Sequence, residues 1–164
     1  MASPGTPGCS NMPMPATALS SHQIRLATVD DVAAIFRVRT AVTENILTLA
    51  ELADLGVTPA TVAALIRSEA CIWVAEGHGE VLGFAMIEQD TACLFAAFVL
   101  PEHEGRGIGR ELVAVCEAAL FRENALVWLE TDGRSRAAGF YRHLGWSHAA
   151  DLDNGDERLE KRRA

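Results

Sequence analysis

The segment 92–100 reads ACLFAAFVL, a run without a single charge, and it leads into PEHEGRGIGR, where Gly105, Gly107 and Gly109 alternate. An apolar run of that length suits a strand covered on both faces. Behind the glycines, Ile108, Leu112, Val115, Cys116, Ala119 and Leu120 recur at helical spacing, predicting a helix over about 107–124. A second apolar strand follows at 125–130. Strand, glycine loop, amphipathic helix and strand have together the length of a parallel crossover, a connection that is almost always right-handed. Whatever else the chain does, it must build a sheet around that unit.

The remaining elements fit such a sheet. A short strand is expected at 24–27, then a helix capped by Thr28 with Val32, Ile35, Phe36, Arg39 and Val42 in register. A second helical piece covers 48–55 and stops at Gly56. A third opens at Thr58-Pro59, a cap followed by proline at the first helical position. Segments 71–75 and 81–88 read as a hairpin around a loop at 76–80. After the crossover come a helix over 135–144, ended by Gly145, and two final strands at 146–150 and 158–163 around a polar turn. The expected fold class is α/β with a mixed sheet: mostly antiparallel, one parallel β-α-β crossover, helices on both faces. Residues 22–164 form one domain. Residues 1–21, rich in Pro, Gly, Ser, Thr and Met, carry too little apolar surface to dock and are expected to be a loose tail.

The glycine loop is a place for phosphate. Glycine permits positive φ and lets a ligand approach the backbone, and a helix start offers unpaired N–H groups and the positive end of the dipole. Arg106 and Arg110 add charge. The loop is not a P-loop, since 105–110 holds no Lys with a following hydroxyl. It is not a dinucleotide fingerprint either: from Gly105 the third glycine falls on Arg110, and from Gly107 it falls on Leu112.

Glu104-Gly105-Arg106-Gly107-Ile108-Gly109 resembles instead the Gln/Arg-x-x-Gly-x-Gly/Ala loop of the GNAT superfamily of acyl-CoA-dependent N-acetyltransferases, with Glu104 departing from the usual first residue. Ala137-Ala138-Gly139-Phe140-Tyr141-Arg142-His143-Leu144-Gly145-Trp146 is similar to the same family's second landmark, a helix ending in Phe-Tyr-x-x-x-Gly-Phe/Trp. The resemblance implies that acetyl-CoA is the co-substrate. It implies that Ala97, Phe98 and Val99 bind pantetheine through their backbone, and that Gly105, Arg106, Gly107, Ile108, Gly109 and Arg110 hold the pyrophosphate. Tyr141, the only tyrosine in the chain, is then the acid that protonates the departing thiolate. An amine must be neutral to attack. Glu130 is the first candidate for the base, followed by Glu88 and Glu44. Arg134 stands where many relatives have Asn, a second departure.

Other chemistries are disfavoured. A formal charge of −8, from 14 Lys plus Arg against 22 Asp plus Glu, argues against nucleic acid as a partner. No apolar run is long enough for a membrane span, so no membrane partner is expected. Cys9, Cys71, Cys93 and Cys116 lie scattered, and the five histidines lack zinc-ligand spacing; no metal site and a cytoplasmic location follow as expectations. The acceptor is expected to be a small-molecule or peptide amine, with a homodimer left open. A module that binds acyl-CoA without turnover is the alternative.

Overall fold

The computed structural model of the chain describes residues 22–164, and the tail expected over 1–21 lies outside the described residues. Strands β1 (Gln23–Leu26), β2 (Ile72–Gly77), β3 (Glu80–Glu88), β4 (Cys93–Val99), β5 (Leu126–Asp132), β6 (Ser147–Asp151) and β7 (Asp156–Arg162) form one sheet in the order β1-β2-β3-β4-β5-β7-β6. Helices α1 (Val32–Ala41), α2 (Leu49–Asp54) and α3 (Pro59–Ser68) lie between β1 and β2, α4 (Ile108–Phe121) between β4 and β5, and α5 (Arg136–His143) between β5 and β6. The β4–β5 pair is parallel and every other pair is antiparallel. Among the described residues no helix is long and apolar enough to cross a membrane.

Local chemistry sets the element ends. Thr48 accepts the Glu51 N–H through its hydroxyl while Glu51 accepts the Thr48 N–H, a reciprocal cap that starts α2. Thr58 with Thr61 caps the start of α3, and Ser135 caps the start of α5. The β2–β3 turn is tighter than the loop expected at 76–80. His78 (φ +53°) and Gly79 (φ +78°) both sit in the left-handed region, as a two-residue hairpin turn requires, so the strands run to Gly77 and Glu80.

The two faces of the sheet follow from strand alternation. A Cβ on Gly83 would lie 3.3 Å from Leu112 in α4, so Gly83 faces α4. Its neighbour Phe84 faces the other way and stacks on Phe98 at 5.8 Å, beneath Arg39 of α1. Helices therefore cover both faces. On α4 the residues that bury are Ile108, Leu112, Val113, Cys116, Ala119 and Leu120, with Val115 only partly covered. The helical stripe is thus rotated slightly from the one expected, towards Val113.

Strand β4 corrects the reading of a strand covered on both faces. Only Cys93 and Leu94 are buried, and the rest of the strand is half-open or exposed. The cause is geometric. β4 and β5 pair at a single register point, Cys93 against Trp128, fixed by Trp128 N–H to Ala92 O (3.1 Å) and Trp128 Nε1–H to Thr91 O (2.7 Å). Beyond it the two strands diverge, leaving a gap that the apolar run lines rather than fills.

Candidate active site

The gap between β4 and β5 opens into a cleft of about 1120 Å³. One wall is β4 itself. Its register against β3 pairs Ala96 with Met86 and Leu94 with Ile87, leaving Phe95 as the extra residue of a bulge. A bulge bends the strand and re-aims a side chain, and Phe95 stands 56% exposed at the cleft. Ala97, Phe98 and Val99 line the same wall, with one strand edge spent on β3 and the other facing the gap.

The mouth of the cleft is the glycine loop. Gly105 (φ +80°) and Gly107 (φ +85°) occupy left-handed conformations that residues with a Cβ resist, and Gly107 caps α4. The first N–H groups of α4 have no intrahelical carbonyl to reach and face outward at the helix start. A Cβ on Gly109 would touch the Phe140 ring at 3.4 Å, so its absence lets α5 close on the start of α4. Gly105, Gly107, Ile108, Gly109 and Arg110 all line the cleft. Arg106 does not: it is exposed, 3.4 Å from the His103 Nδ1 atom.

Tyr141 enters from α5. Its ring is 8% exposed, edge-on to Phe140 (5.2 Å) and Trp146 (6.0 Å). Trp146 is held by its indole N–H to Glu117 (2.9 Å), which also takes Lys161 Nζ at 2.8 Å. This network and the left-handed turn at Gly145 (φ +98°) fix the end of α5 that carries the phenol. Tyr141 lines the cleft, and no hydrogen bond among the described residues uses its hydroxyl. Burial pushes its pKa up, with Cys116 adding to the rise, so the phenol keeps its proton at neutral pH.

Glu130 lines the cleft from β5. Val127 and Leu129 bury towards the core, so alternation turns Trp128 and Glu130 to the opposite face. Glu130 is exposed and makes no ion pair among the described residues. Glu44 also lines the cleft, whereas Glu88 does not: its carboxylate accepts the Thr91 hydroxyl (2.6 Å) at the end of β3. Arg134 is exposed beside Asp132 (3.6 Å). The departure at Glu104 finds a partner that spacing did not reveal. Arg136 at the start of α5 pairs with Glu104 (3.2 Å) and with Glu44 (3.7 Å), bridging the glycine loop to the loop after α1. In that loop Val42 is extended and falls outside α1, against the helical register expected for it, and it lines the cleft with Thr43, Glu44 and Asn45.

Cys71, Cys93 and Cys116 are buried free thiols. Burial pushes Cys93 up to about 12, helped by the nearby Glu88 and Glu130, so its thiol keeps its proton at neutral pH. Among the described residues no group of three or more His, Cys, Asp or Glu is placed to hold a metal ion.

A sheet split beside a glycine loop, with a phenol in the gap, is the arrangement that the resemblance to acyl-CoA-dependent acyltransferases implies. The sequence at residues 68–148 matches the family described as Acetyltransferase (GNAT) domain. The chain thus carries a GNAT acetyltransferase domain, an acyltransferase. Solved structures share the fold at low identity. The PaiA N-acetyltransferase of Thermoplasma acidophilum, in complex with coenzyme A, is 19% identical with a TM-score of 0.72, over 87% of this chain and 99% of that one. The yncA protein of Salmonella typhimurium with its cofactor acetyl-CoA is 19% identical with a TM-score of 0.69, over 87% and 94%. The ribosomal-protein-S18-alanine N-acetyltransferase of Escherichia coli is 20% identical with a TM-score of 0.65, over 86% and 93%. No curated protein sequence matches the chain significantly.

Proposed function

We propose that residues 22–164 transfer an acetyl group from acetyl-CoA directly to the primary amine of a small-molecule or peptide acceptor. The observation that carries this reading is the gap beyond the Cys93–Trp128 pair, with a left-handed glycine loop at its mouth and the Tyr141 phenol in its wall. The residues fit the cofactor: an open strand edge at Ala97, Phe98 and Val99 for pantetheine, and outward N–H groups at the start of α4, with Arg110, for the pyrophosphate. Arg106 contributes charge from outside the cleft.

When bound, acetyl-CoA supplies the activated acetyl group. The chain's own part is to orient it and to move two protons. Glu130, facing the side of the sheet away from α4, accepts the proton that makes the amine a nucleophile, directly or through one water. Tyr141 donates its phenolic proton to the sulfur as the carbon–sulfur bond breaks. A phenol of ordinary pKa about 10 is a weak acid towards a thiolate of about 8.5, so position does more than acidity. A raised pKa guarantees that the donor is protonated. The buried free thiols suit a reducing cytoplasm.

Calorimetry with acetyl-CoA and thiol release against a panel of amines test the reading together. Binding with amine-dependent thiol release is the expected result. Binding without release for any amine points to a module that holds the cofactor only, and absence of binding overturns the reading.

A further inference from the structure

Arg39 is the unusual charge of this molecule. It lies near the end of α1, 9% exposed, with its guanidinium 4.4 Å from the centre of the Phe98 ring and one hydrogen bond to the Asn45 carbonyl (3.0 Å). The two half-buried arginines are both matched by carboxylates, Arg25 by Asp31 and Glu76 and Arg158 by Glu160. Among the described residues no carboxylate lies within ion-pair distance of Arg39. Burying a cation without an anion is costly, and a stacked ring with one carbonyl returns only part of that cost. Burial accordingly lowers the Arg39 pKa, with no carboxylate to oppose it.

The groups around Arg39 are those of the cleft. Phe98 and Asn45 both line it, and Asn45 adopts φ +56°, a conformation uncommon outside glycine, where Arg39 holds its carbonyl. No side-chain nitrogen or oxygen among the described residues is both sealed and unpaired. The guanidinium N–H groups left without partners therefore retain some accessible surface, one layer behind the Phe98 and Asn45 that line the cleft. They face the side of the sheet that Glu130 also faces, the side opposite α4.

We propose that Arg39 is the receptor for a carboxylate carried by the acceptor, so that the amine acetylated belongs to a small free amino acid. The proposal rests on the acetyl-transfer reading above and narrows its acceptor. A planar fork beside a ring is built for bidentate contact with a carboxylate. The acceptor's anion supplies the partner that the fold omits, and its amine is left to reach the gap where Tyr141 and Glu130 stand. An internal lysine or a chain-terminal amine in a long peptide offers no such anion at a fixed short distance.

The test pairs each of a set of α-, β- and γ-amino acids with its carboxamide, which keeps shape and amine but loses the anion. Thiol release should favour the best acid over its amide by about 10- to 100-fold in kcat/KM, the worth of a hydrogen bond to a charged group. Arg39→Gln should collapse that ratio towards one, mainly through KM, and Arg39→Lys should restore part of it. Acetyl-CoA calorimetry on each variant reports whether the fold and the cofactor wall survive. In the CoA-loaded wild type, the preferred amino acid should raise the melting temperature and its amide should not. Equal rates for acids and amides overturn the proposal while leaving acetyl transfer intact. So does a preference that persists in Arg39→Gln. A protein that binds acetyl-CoA but neither uses any amino acid nor gains thermal stability from one overturns it as well. Failure to bind acetyl-CoA is a different result and removes the parent reading.

Discussion

The two sides of the cleft are built from different materials. The side proposed for the cofactor is backbone: a strand edge at Ala97, Phe98 and Val99, the left-handed turns at Gly105 and Gly107, and the opening N–H groups of α4. The opposite side is made of side chains: Glu44, Phe95 and Glu130, brought in by a loop, a bulge and a strand end, with Arg39 of the α1 end behind them on Phe98. Backbone recognition tolerates sequence change, because any residue with the right φ presents the same N–H. Side-chain recognition does not, because one substitution changes the ligand that fits. A chain of this family can therefore keep its donor while its acceptor drifts.

The contrast breaks first at Tyr141, the one side chain whose proposed role bears on the cofactor's sulfur. Tyr141→Phe should lower kcat by about 10²–10⁴ with acetyl-CoA affinity nearly unchanged, the pattern of a contact that matters only as charge develops on sulfur. Since the phenol stays protonated well past neutrality, the wild-type alkaline limb should not report Tyr141, and the variant should keep the same limb. Wild-type kcat in Tyr141→Phe would falsify the acid role.

Gly107→Val tests the backbone side. A β-branched residue at φ +85° costs roughly 1–3 kcal/mol of local strain, and its Cβ would come within 3.4 Å of the Arg110 guanidinium. Acetyl-CoA affinity should fall by about 10- to 100-fold in calorimetry, the expected result of moving those N–H groups. A folded variant with wild-type affinity removes the loop from cofactor binding.

Glu104→Gln sharpens the contrast with the smallest effect. Glu104 and Arg136 are exposed partners, and such pairs are worth about 1 kcal/mol or less. Removing the carboxylate leaves Arg136 paired with Glu44 alone and takes a negative charge from the loop proposed to hold the pyrophosphate. Acetyl-CoA affinity should rise by less than about fivefold at low salt, and the gain should fade at high salt, within the Debye screening expected of surface charge. A loss of affinity would mean that the carboxylate itself supports the loop.

The same division decides what the sequence could reveal. Gly105 and Gly107 carry their geometry in their identity, since few residues besides glycine hold φ near +80° cheaply, and Gly109 carries it in the Cβ it lacks against Phe140. The crossover and the order of elements follow from periodicity, which reports burial. The gap is different. The run 92–100 looks like a strand closed on both faces because apolar residues that line a cleft for a ligand have the same composition as those that meet a helix. Nor could spacing show that Arg136 would neutralise Glu104, which lies 32 residues away. Arg39 did leave a sign, a charge set in the apolar register of α1, but only the stacking on Phe98 shows what it does there.

The single stitch between β4 and β5 has a consequence for the life of the protein in the cell. Two ribbons of sheet meet at Cys93 and Trp128, and along the rest of that seam β4 and β5 do not pair. A ligand bound only by the folded chain adds its occupancy to the folding equilibrium, about 2.7 kcal/mol when present at a hundred times its dissociation constant. Proteases act on the open form, so their access falls as that occupancy rises. Under the proposed chemistry, the abundance of this enzyme would rise and fall with acetyl-CoA supply.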